Sequence, residues 1–494
     1  MNGSMETGTL ISLGLYFVLM LMIGVYAQRR STSDSASYLL AGRDLSPSVT
    51  ALSAGASDMS GWLLLGLPGA LYVAGLVEAW IGIGLFAGAL ANWIVVAPRL
   101  REQTERYGNA LTIPHFLSNR FPEKATALRV MSAVVIVVFF TVYTAAGLVA
   151  GGKLFATSFA GVFTDSGVSP YVVGLWVTAG VVVAYTVLGG FLAVSLTDAV
   201  QGLIMLAALI LMPLAILFAD GGGTAAAMRE VEPGFFSLTR GLTLLGFLSA
   251  VSWGLGYFGQ PHIIVRFMAI RSVAEMPRAR RIAMSWMALC LAGAVAIGVT
   301  GRAYVERNRL TLTDPETIFL LLADALFDPL ITGLLLAALL AAVMSTISSQ
   351  LLVSSSSLTE DFYRLFLRRE AGERETVAVN RLSVLLVALA ALAIAGDPDS
   401  RVLGLVANAW AGFGAAFGPM ILLALTWRGT TGAGALAGLV TGAAVVTAWI
   451  ALGWNTRFFG GEGLYEIIPG FVAATAAVVL VSLATQRSST LSPA

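Results

Sequence analysis

Cysteine, histidine and charge are scarce in this sequence. Its 494 residues include one cysteine and two histidines, and charged residues make up 12% of the chain. The lone Cys290 excludes an internal disulfide, and no cysteine cluster is present to bind a metal. No glycine-rich phosphate loop follows a strand, so we expect neither an ATP-driven pump nor another enzyme, and no organic cofactor. The net charge of +1 argues against nucleic acid as a partner.

Apolar residues dominate what is present, at 57% of the chain with a mean hydropathy of +0.84. Runs close to the ~20 residues that cross a bilayer core of ~30 Å recur along the sequence, separated by short polar links. We therefore predict a single all-α polytopic domain over 1–494, in contact with lipid along most of its length. About thirteen spans are predicted, near 9–28, 47–72, 76–98, 126–154, 169–188, 191–219, 240–265, 282–303, 328–352, 379–395, 402–426, 431–453 and 464–485.

Basic residues indicate the orientation of these spans, because they concentrate in alternate loops. The basic loops carry Arg29, Arg30 and Arg43, then Arg99, Arg101, Arg106, Arg120 and Lys124, then Arg266, Arg271, Arg278, Arg280 and Arg281, then Arg364, Arg368, Arg369 and Arg374, and finally Arg428 and Arg487. We expect these loops to be cytoplasmic. An odd number of spans then places the N-terminus outside and the C-terminus in the cytoplasm.

An acid lies among small residues in the second predicted span, in the segment Ser53–Trp62. A carboxylate at the bilayer centre costs at least ~2.5 kcal/mol, which favours a function for Asp58. Gly55 and Gly61 are expected to let the backbone leave the helix there. Since unwound backbone at membrane depth lines a cavity, the segment predicts an ion site.

The seventh predicted span contains a second interruption, in Trp253–His262. Three glycines are followed by Pro261, which cannot donate a backbone hydrogen bond to the preceding turn. Because the two interrupted spans are the second and the seventh, each would open a five-helix unit, and the two units would enter the membrane from opposite sides, as in transporters with inverted repeats. The repeats are predicted near 47–219 and 240–426, with peripheral spans at 9–28, 431–453 and 464–485.

Oxygen atoms near the two interruptions suit a monovalent hard cation. The carbonyls of Ala56 and Met59 and the hydroxyls of Ser345 and Thr346 could bind sodium, although such hydroxyls also often bond the carbonyl four residues earlier. Asp198, in the sixth span, is explained equally by a function or by the structure of a helix end.

The two interrupted spans and the fourth span carry aromatic residues at membrane depth, among them Trp62, Tyr143, Trp253 and Tyr257. They could enclose a compact apolar solute, while free N–H groups near Ser60 and Gly61 bind its carboxylate. Ordinary core packing is the alternative explanation for the same residues. The pattern is typical of a site for a small amino acid.

The chain resembles the sodium:solute symporter family, and most closely its bacterial members that carry proline. The resemblance lies in Ser53–Trp62, Phe140–Tyr143, Trp253–His262 and Ala341–Ser348, with further similar stretches at Gly189–Gln201, Ala407–Pro419 and Leu464–Phe471. It implies a five-plus-five LeuT-like core, with helices broken at spans two and seven and sodium bound between spans two and nine. It also implies a multi-pass protein of the bacterial cytoplasmic (inner) membrane.

The resemblance implies roles for individual residues. The sodium ligands would be the carbonyls of Ala56, Met59 and Ala342 and the hydroxyls of Ser345 and Thr346, with Asp58 supporting sodium binding and coupling. The proline site would contain Tyr143, Trp253, Tyr257 and Pro261, with Trp62 and Gly61 close by. Arg43, Ser60 and Asp198 are further functional candidates.

The implied activity is sodium-coupled uptake of L-proline by alternating access, without an obligate protein partner. Three alternatives stay open: another small solute such as pantothenate, coupling to protons, and a sensor or channel. Only Gln486–Ala494 follow the last predicted span, and we expect so short a segment to be no signalling domain.

Overall fold

The computed structural model describes residues 7–30, 39–163, 167–219, 232, 234–458 and 461–490, so both chain ends lie outside the described residues. The first half of the described chain forms helices α1 (Thr7–Arg30), α2 (Pro47–Asp58), α3 (Leu67–Ala74), α4 (Ala79–Arg106), α5 (Ile113–Arg120), α6 (Ala125–Ser158) and α7 (Pro170–Ala219). Helix α7 is kinked at Gly190, which has a φ of 57° and a ψ of −152°, so it provides two spans, Pro170–Val187 and Gly190–Ala219. The second half forms α8 (Leu244–Ser252), α9 (Pro261–Ala269), α10 (Met276–Arg307), α11 (Ile318–Leu326), α12 (Pro329–Ser357), α13 (Glu373–Ile394), α14 (Val402–Thr426), α15 (Gly432–Ala451) and α16 (Ile467–Thr490).

Eleven helical stretches in the described part of the chain are long and apolar enough to cross a membrane. The predicted spans 47–72 and 240–265 are not among them, because each is made of shorter helical pieces. The protein is therefore an all-α multi-pass membrane protein, as its composition predicts. The predicted total of thirteen spans stays a prediction.

Burial separates a central group of helices from a peripheral one. The most apolar windows of α12 and α14 are 78% and 83% buried inside the protein, whereas those of α1 and α16 are each 28% buried. Large apolar side chains such as Leu15 and Leu480 are exposed on the peripheral helices, where lipid would cover them. We therefore expect the functional polar groups to lie around α12 and α14.

The second span begins at Pro47, in the first turn of α2, where proline's missing N–H costs no hydrogen bond. It is interrupted after Asp58, because Met59 has a non-helical ψ of 79° and the next helical turns begin at Trp62. We call residues 59–61 the α2 break. Ser60 N–H donates to the carbonyl oxygen of Asp58 at 2.9 Å, which closes the turn.

The two glycines in and near this break, Gly61 and Gly55, have a different role from the one that the sequence predicts. Gly55 lies inside α2 and Gly61 has helical dihedral angles, so neither supplies unusual backbone freedom. A Cβ atom at Gly55 would lie 2.6 Å from Cζ3 of Trp286, and one at Gly61 would lie 2.8 Å from Cβ of Ala150. The glycines are needed because neighbouring helices pack directly against the backbone.

The seventh span is interrupted over a longer stretch. A 3₁₀ segment, Trp253–Gly259, joins α8 to α9, and Pro261 occupies the first turn of α9. A Cβ atom at Gly256 would lie 1.9 Å from Nε1 of Trp410, so glycine lets α14 pack closely against this segment. The missing N–H of Pro261 is harmless at a helix start, which explains why the helix resumes there.

The helix bundle has two ends that differ in charged residues. Helix α6 carries Arg129 near its first residue, at one end of the bundle, and Lys153 near its last residue, at the other end. We call the first the arginine-rich end, which also contains Arg43 and Arg101, and the second the opposite end. At the arginine-rich end the chain before α2 meets the chain after α9, because Leu45 N–H donates to the Ala269 carbonyl at 3.1 Å.

Candidate functional site

The two interrupted spans meet at Asp58, the last residue of α2. The hydroxyl of Tyr257, in the 3₁₀ segment, donates a hydrogen bond to Oδ2 of Asp58. The carbonyl oxygen of Asp58 accepts a bond from Nε1 of Trp62 at 3.1 Å. Within the described residues Oδ1 of Asp58 has no hydrogen-bond partner, although the side chain is buried. Asp58 thus joins the two interruptions and keeps one free carboxylate oxygen.

Four of the five predicted sodium ligands lie in one cluster of oxygen atoms between α2 and α12. Oγ of Ser345 is 2.7 Å from the Ala56 carbonyl oxygen and 3.1 Å from that of Ala342. Oγ1 of Thr346 is 3.2 Å from the same Ala342 oxygen. The bonds to Ala342 are the local helix bonds that the sequence left as an alternative, whereas the bond to Ala56 joins two helices.

Met59, the fifth predicted ligand, is buried in the α2 break. Its N–H donates to the Gly55 carbonyl at 2.9 Å. The hydrogen bonds among the described residues do not connect Met59 to the hydroxyls of α12. Its carbonyl belongs to the interrupted backbone, where helical hydrogen bonding cannot occupy it in the regular way.

Aromatic rings surround the junction of the two breaks. Tyr143 on α6 packs edge-on against His262, with ring centroids 5.9 Å apart, and Tyr257 packs edge-on against Trp410 at 5.0 Å. Trp410 in turn donates from Nε1 to the Trp253 carbonyl at 2.7 Å. His262 and Trp410 were missed by the sequence analysis, since a lone aromatic in an apolar run resembles a core residue.

The predicted solute-binding residues are divided between different environments. Trp62, Tyr143 and Tyr257 are buried together near the breaks, and Ser60 and Gly61 lie in the α2 break itself. Trp253 faces a cavity of about 480 Å³ at the opposite end, while Pro261 faces a cavity of about 20 Å³ toward the arginine-rich end. The candidate site therefore lies between two cavities, one on either side of the breaks.

Asp198 on α7 lies inside the protein in an ion pair. Its Oδ2 is 3.1 Å from Nη2 of Arg266 and accepts a hydrogen bond from Oγ of Ser53 at 2.7 Å. Nη2 of Arg266 also donates to Oγ of Ser349 at 2.5 Å. These side chains come from α7, α9, α2 and α12, so the pair joins four helices one turn from the oxygen cluster.

The prediction that Arg266 lies in a basic loop is wrong. Arg266 is fully buried in α9, and its guanidinium lies 5.3 Å from the ring centroid of Phe191. The charge rule for loops assigned it outside the membrane. The signal that identifies it is the apolar sequence on both sides, from Ile263 to Ile270, which continues the helix past the arginine.

Arg43 lies far from the breaks, in a short 3₁₀ turn (Ala41–Arg43) at the arginine-rich end. Its Nη1 donates to the Met268 carbonyl at 3.0 Å, and its Nη2 donates to the Ala110 carbonyl at 2.7 Å. Burial lowers the pKa of Arg43 to about 10. Arg43 therefore connects the end of α9 to the loop before α5, and it does not contact the oxygen cluster.

The cavity at the opposite end contains a buried acid, Glu466, beside Trp253 and Arg401. Burial raises the pKa of Glu466 to about 7 from its ordinary 4.5. The folded protein then binds this proton more tightly than the unfolded chain, so the contribution of Glu466 to stability is lost as pH rises.

The Glu466→Gln variant, which cannot ionise, provides a test. Between about pH 4.5 and about pH 7, we expect the unfolding midpoint of the parent in detergent to fall relative to that of the variant. Above this range, the difference between the two midpoints should stay constant. A constant difference between the two midpoints from about pH 4.5 to about pH 7 would contradict this assignment. Thermal unfolding in a series of buffers gives the measurement.

Comparison with known sequences identifies the relatives of this chain. The model of the sodium:solute symporter family matches residues 38–442. A high-affinity proline transporter PutP from Bacillus subtilis (strain 168) is 55% identical over 472 residues, which cover 95% of this chain and 97% of the relative. A sodium/proline symporter from Staphylococcus aureus (strain JH9) is 50% identical over 487 residues, 97% of this chain and 93% of the relative.

Two solved structures share the fold. A Na⁺-coupled sialic acid symporter, in a substrate-bound outward-open state, aligns with a TM-score of 0.80 at 18% identity over 97% of this chain and 98% of its own. Mhp1, a nucleobase-cation-symport-1 family transporter in a closed conformation, aligns with a TM-score of 0.56 at 14% identity, covering 91% and 93%.

These likenesses agree with the LeuT-like fold that the family resemblance implies, and the named relatives are transporters, as expected of a chain that is not an enzyme. The family match covers most of the described helices, including both breaks, the oxygen cluster and the Asp198–Arg266 pair. The chain belongs to the sodium:solute symporter family.

Proposed function

We propose that this protein takes up L-proline by sodium-coupled, secondary active transport with alternating access. The observation that carries the proposal is the contact between the Ala56 carbonyl and the Ser345 hydroxyl at 2.7 Å, which joins the last turn of α2, directly before its break, to α12. The names of relatives at 50% and 55% identity over nearly the whole chain support proline as the solute.

The proposed sodium site consists of the carbonyl oxygens of Ala56, Met59 and Ala342 and the hydroxyl oxygens of Ser345 and Thr346. Carbonyls and hydroxyls replace the hydration shell of a monovalent cation without a net charge that would hold it too tightly to leave. Binding would turn both hydroxyl protons away from the Ala56 and Ala342 oxygens, which they now contact. A bound ion would thereby tie the α2 break to α12.

Asp58 is proposed to support this site from the last position of α2, directly before the break. Its carboxylate adds negative potential near the ion, and its bond from Tyr257 transmits the geometry of α2 to the 3₁₀ segment. Sodium binding can then favour the arrangement that receives the solute, which is a coupling free energy between two sites.

The proline site is proposed between the two breaks. The rings of Tyr143, Tyr257, Trp62 and Trp253 would enclose the pyrrolidine, with Pro261 at the far side, while the backbone near Gly61 would face the carboxylate. The N–H of Ser60 itself donates to the Asp58 carbonyl, so it would have to exchange this bond to reach the carboxylate. The compact apolar ring and single carboxylate of proline suit such a site.

We propose that the arginine-rich end faces the cytoplasm of a bacterium, with the N-terminus outside and the C-terminus inside. The repeats would comprise residues near 47–219 and 240–426. One cation moving through ~100 mV supplies ~2.3 kcal/mol, and a tenfold sodium gradient adds ~1.4 kcal/mol. At one ion per solute, the sum of these two energies corresponds to a roughly 500-fold accumulation of the solute inside.

The solute is tested by equilibrium binding of radiolabelled L-proline to the purified protein, with a panel of unlabelled competitors. We expect unlabelled proline to displace the label in the presence of sodium, and pantothenate to leave it bound. Displacement by pantothenate at lower concentrations than by proline would assign the same fold to another solute. Binding that depends on pH but not on sodium would indicate proton coupling.

A further inference from the structure

Helix α1 is peripheral by burial, yet one face of it packs against the core. Its buried residues recur every three or four positions, which places them on this face, and they are Thr9, Leu13, Tyr16, Met20, Gly24 and Ala27. Apolar or small side chains account for most of them. Tyr16 differs, because it is only 5% exposed and carries a hydroxyl that needs a hydrogen-bond partner where water is absent. The partners of that hydroxyl lie on two core helices.

The hydroxyl of Tyr16 joins α1 to both α7 and α12. It accepts a hydrogen bond from Nε2 of Gln201 on α7 at 2.7 Å. It donates to Sδ of Met344 on α12 at 3.7 Å, which is a weaker bond because a thioether is a poor acceptor. Gln201 lies three residues beyond Asp198, about one turn of α7 from the buried ion pair. One side chain of the peripheral helix thus contacts both core helices at once.

A second tyrosine holds the same methionine from α7. The hydroxyl of Tyr185 donates to the Met344 carbonyl oxygen at 2.8 Å, and the side chain of Tyr185 is fully buried. Helix α1 packs against this residue too, because a Cβ atom at Gly24 would lie 3.3 Å from Cβ of Tyr185. Met344 directly precedes Ser345, the first of the two hydroxyl ligands in the proposed sodium site. We call Tyr16 and Tyr185 the tyrosine clamp.

We propose that the tyrosine clamp positions the α12 hydroxyls for sodium, so that the peripheral helix α1 contributes to the sodium affinity of the core. This inference rests on the proposed function. A binding site needs its ligands within about 0.5 Å of the productive geometry, held by neighbours that are themselves locked in place. Met344 has a flexible, unbranched side chain, and the clamp fixes both its sulfur and its carbonyl. Both tyrosines act through Met344, as positioning residues.

Tyrosine-to-phenylalanine variants remove the clamp hydroxyls and keep the rings. In Tyr185→Phe the Met344 carbonyl still accepts its own helical hydrogen bond, so no buried group is left unpaired. The matched control is Tyr171→Phe, because the Tyr171 hydroxyl also donates to a carbonyl at 2.8 Å, that of Ala395. Tyr171 lies on the same helix, about 21 Å before Tyr185, and its bond does not involve α12.

Sodium-dependent binding of radiolabelled proline to the purified protein gives the first measurement. We expect Tyr16→Phe and Tyr185→Phe each to raise the half-saturating sodium concentration about fivefold, because loss of an outer partner of a metal ligand weakens the site. At saturating sodium, the half-saturating proline concentration should stay within about twofold of the parent. Tyr171→Phe should match the parent in both values. An unchanged sodium requirement in either clamp variant, or an equal rise in Tyr171→Phe, would overturn the clamp.

Stability has to be separated from positioning, because Tyr16→Phe leaves Nε2 of Gln201 without its acceptor. Adding Gln201→Met removes both polar groups, which is often close to neutral for stability. We expect this double variant to unfold near the midpoint of the parent in sodium-free detergent, yet still to need about fivefold more sodium. Sodium affinity that returns together with stability would overturn positioning by Tyr16. The Tyr185→Phe variant decides the matter if the double variant stays unstable.

Sodium-induced stabilisation provides a second measurement that does not depend on the solute. An ion that binds only the folded protein raises its unfolding midpoint by mass action. In the clamp variants the same rise should require about fivefold more sodium than in the parent and in Tyr171→Phe. A parent that sodium stabilises but that binds no proline would refute the proposed solute and leave the clamp supported if this shift is seen. A parent that sodium does not stabilise would refute the sodium site, and the clamp with it.

Discussion

Replacing Asp198 with asparagine should lower the free energy of unfolding by about 3 to 5 kcal/mol, the cost of leaving one member of a buried ion pair unpaired. The guanidinium of Arg266 is fully buried, and Asp198 is its acidic partner at 3.1 Å. Asparagine can still accept the hydrogen bond from Ser53, but it cannot neutralise the charge. Denaturant or thermal unfolding of the purified protein in detergent provides the measurement.

The control for this effect removes both charges. A double variant, Asp198→Leu with Arg266→Met, replaces the pair by apolar side chains of similar size, which is often neutral for stability. We expect it to regain most of the stability that Asp198→Asn loses, even if it transports poorly. The two residues would then show a large coupling energy in a double-mutant cycle. A double variant as unstable as the single one would contradict the assignment of a charge effect.

Removing both hydroxyls of the oxygen cluster, in a Ser345→Ala and Thr346→Ala variant, should raise the half-saturating sodium concentration at least about tenfold. Hydrogen bonds to charged groups contribute ~1.5 to 3 kcal/mol each, and ligand contacts to a cation are of similar strength. The measurement is sodium-dependent binding of radiolabelled proline to the purified variant.

A Ser355→Ala variant is a suitable control, because the Ser355 hydroxyl lies on α12 but faces Asn380. Its half-saturating sodium concentration should equal that of the parent. If the Ser345 and Thr346 double variant also keeps the parent value, these hydroxyls only bond to their own helix, as in the alternative explanation.

Much of the fold follows from the sequence, because apolar runs must match the bilayer thickness. The predicted span 402–426 coincides with α14, Val402–Thr426, since an apolar run lies there between Arg401 and Trp427. The positions of the two interruptions are also predictable, from Asp58 and from Pro261. The role of the nearby glycine is not, because Gly55 is needed for close packing against Trp286, which is remote in sequence.

The candidate site was only partly predictable for the same reason. The contact between Tyr257 and Asp58 joins residues 199 positions apart, and that between Arg266 and Asp198 joins residues 68 apart. Local patterns indicate that Asp58 and Asp198 need partners, but they do not identify them. An arginine near the end of an apolar run is assigned to a loop unless its partner is known.

The most direct test of the account is uptake of radiolabelled L-proline by proteoliposomes that contain only this protein. We predict accumulation above the external concentration when sodium is high outside and low inside, with further stimulation by an inside-negative potential, and no accumulation when potassium replaces sodium. Equal uptake with and without the sodium gradient would contradict sodium-coupled proline transport.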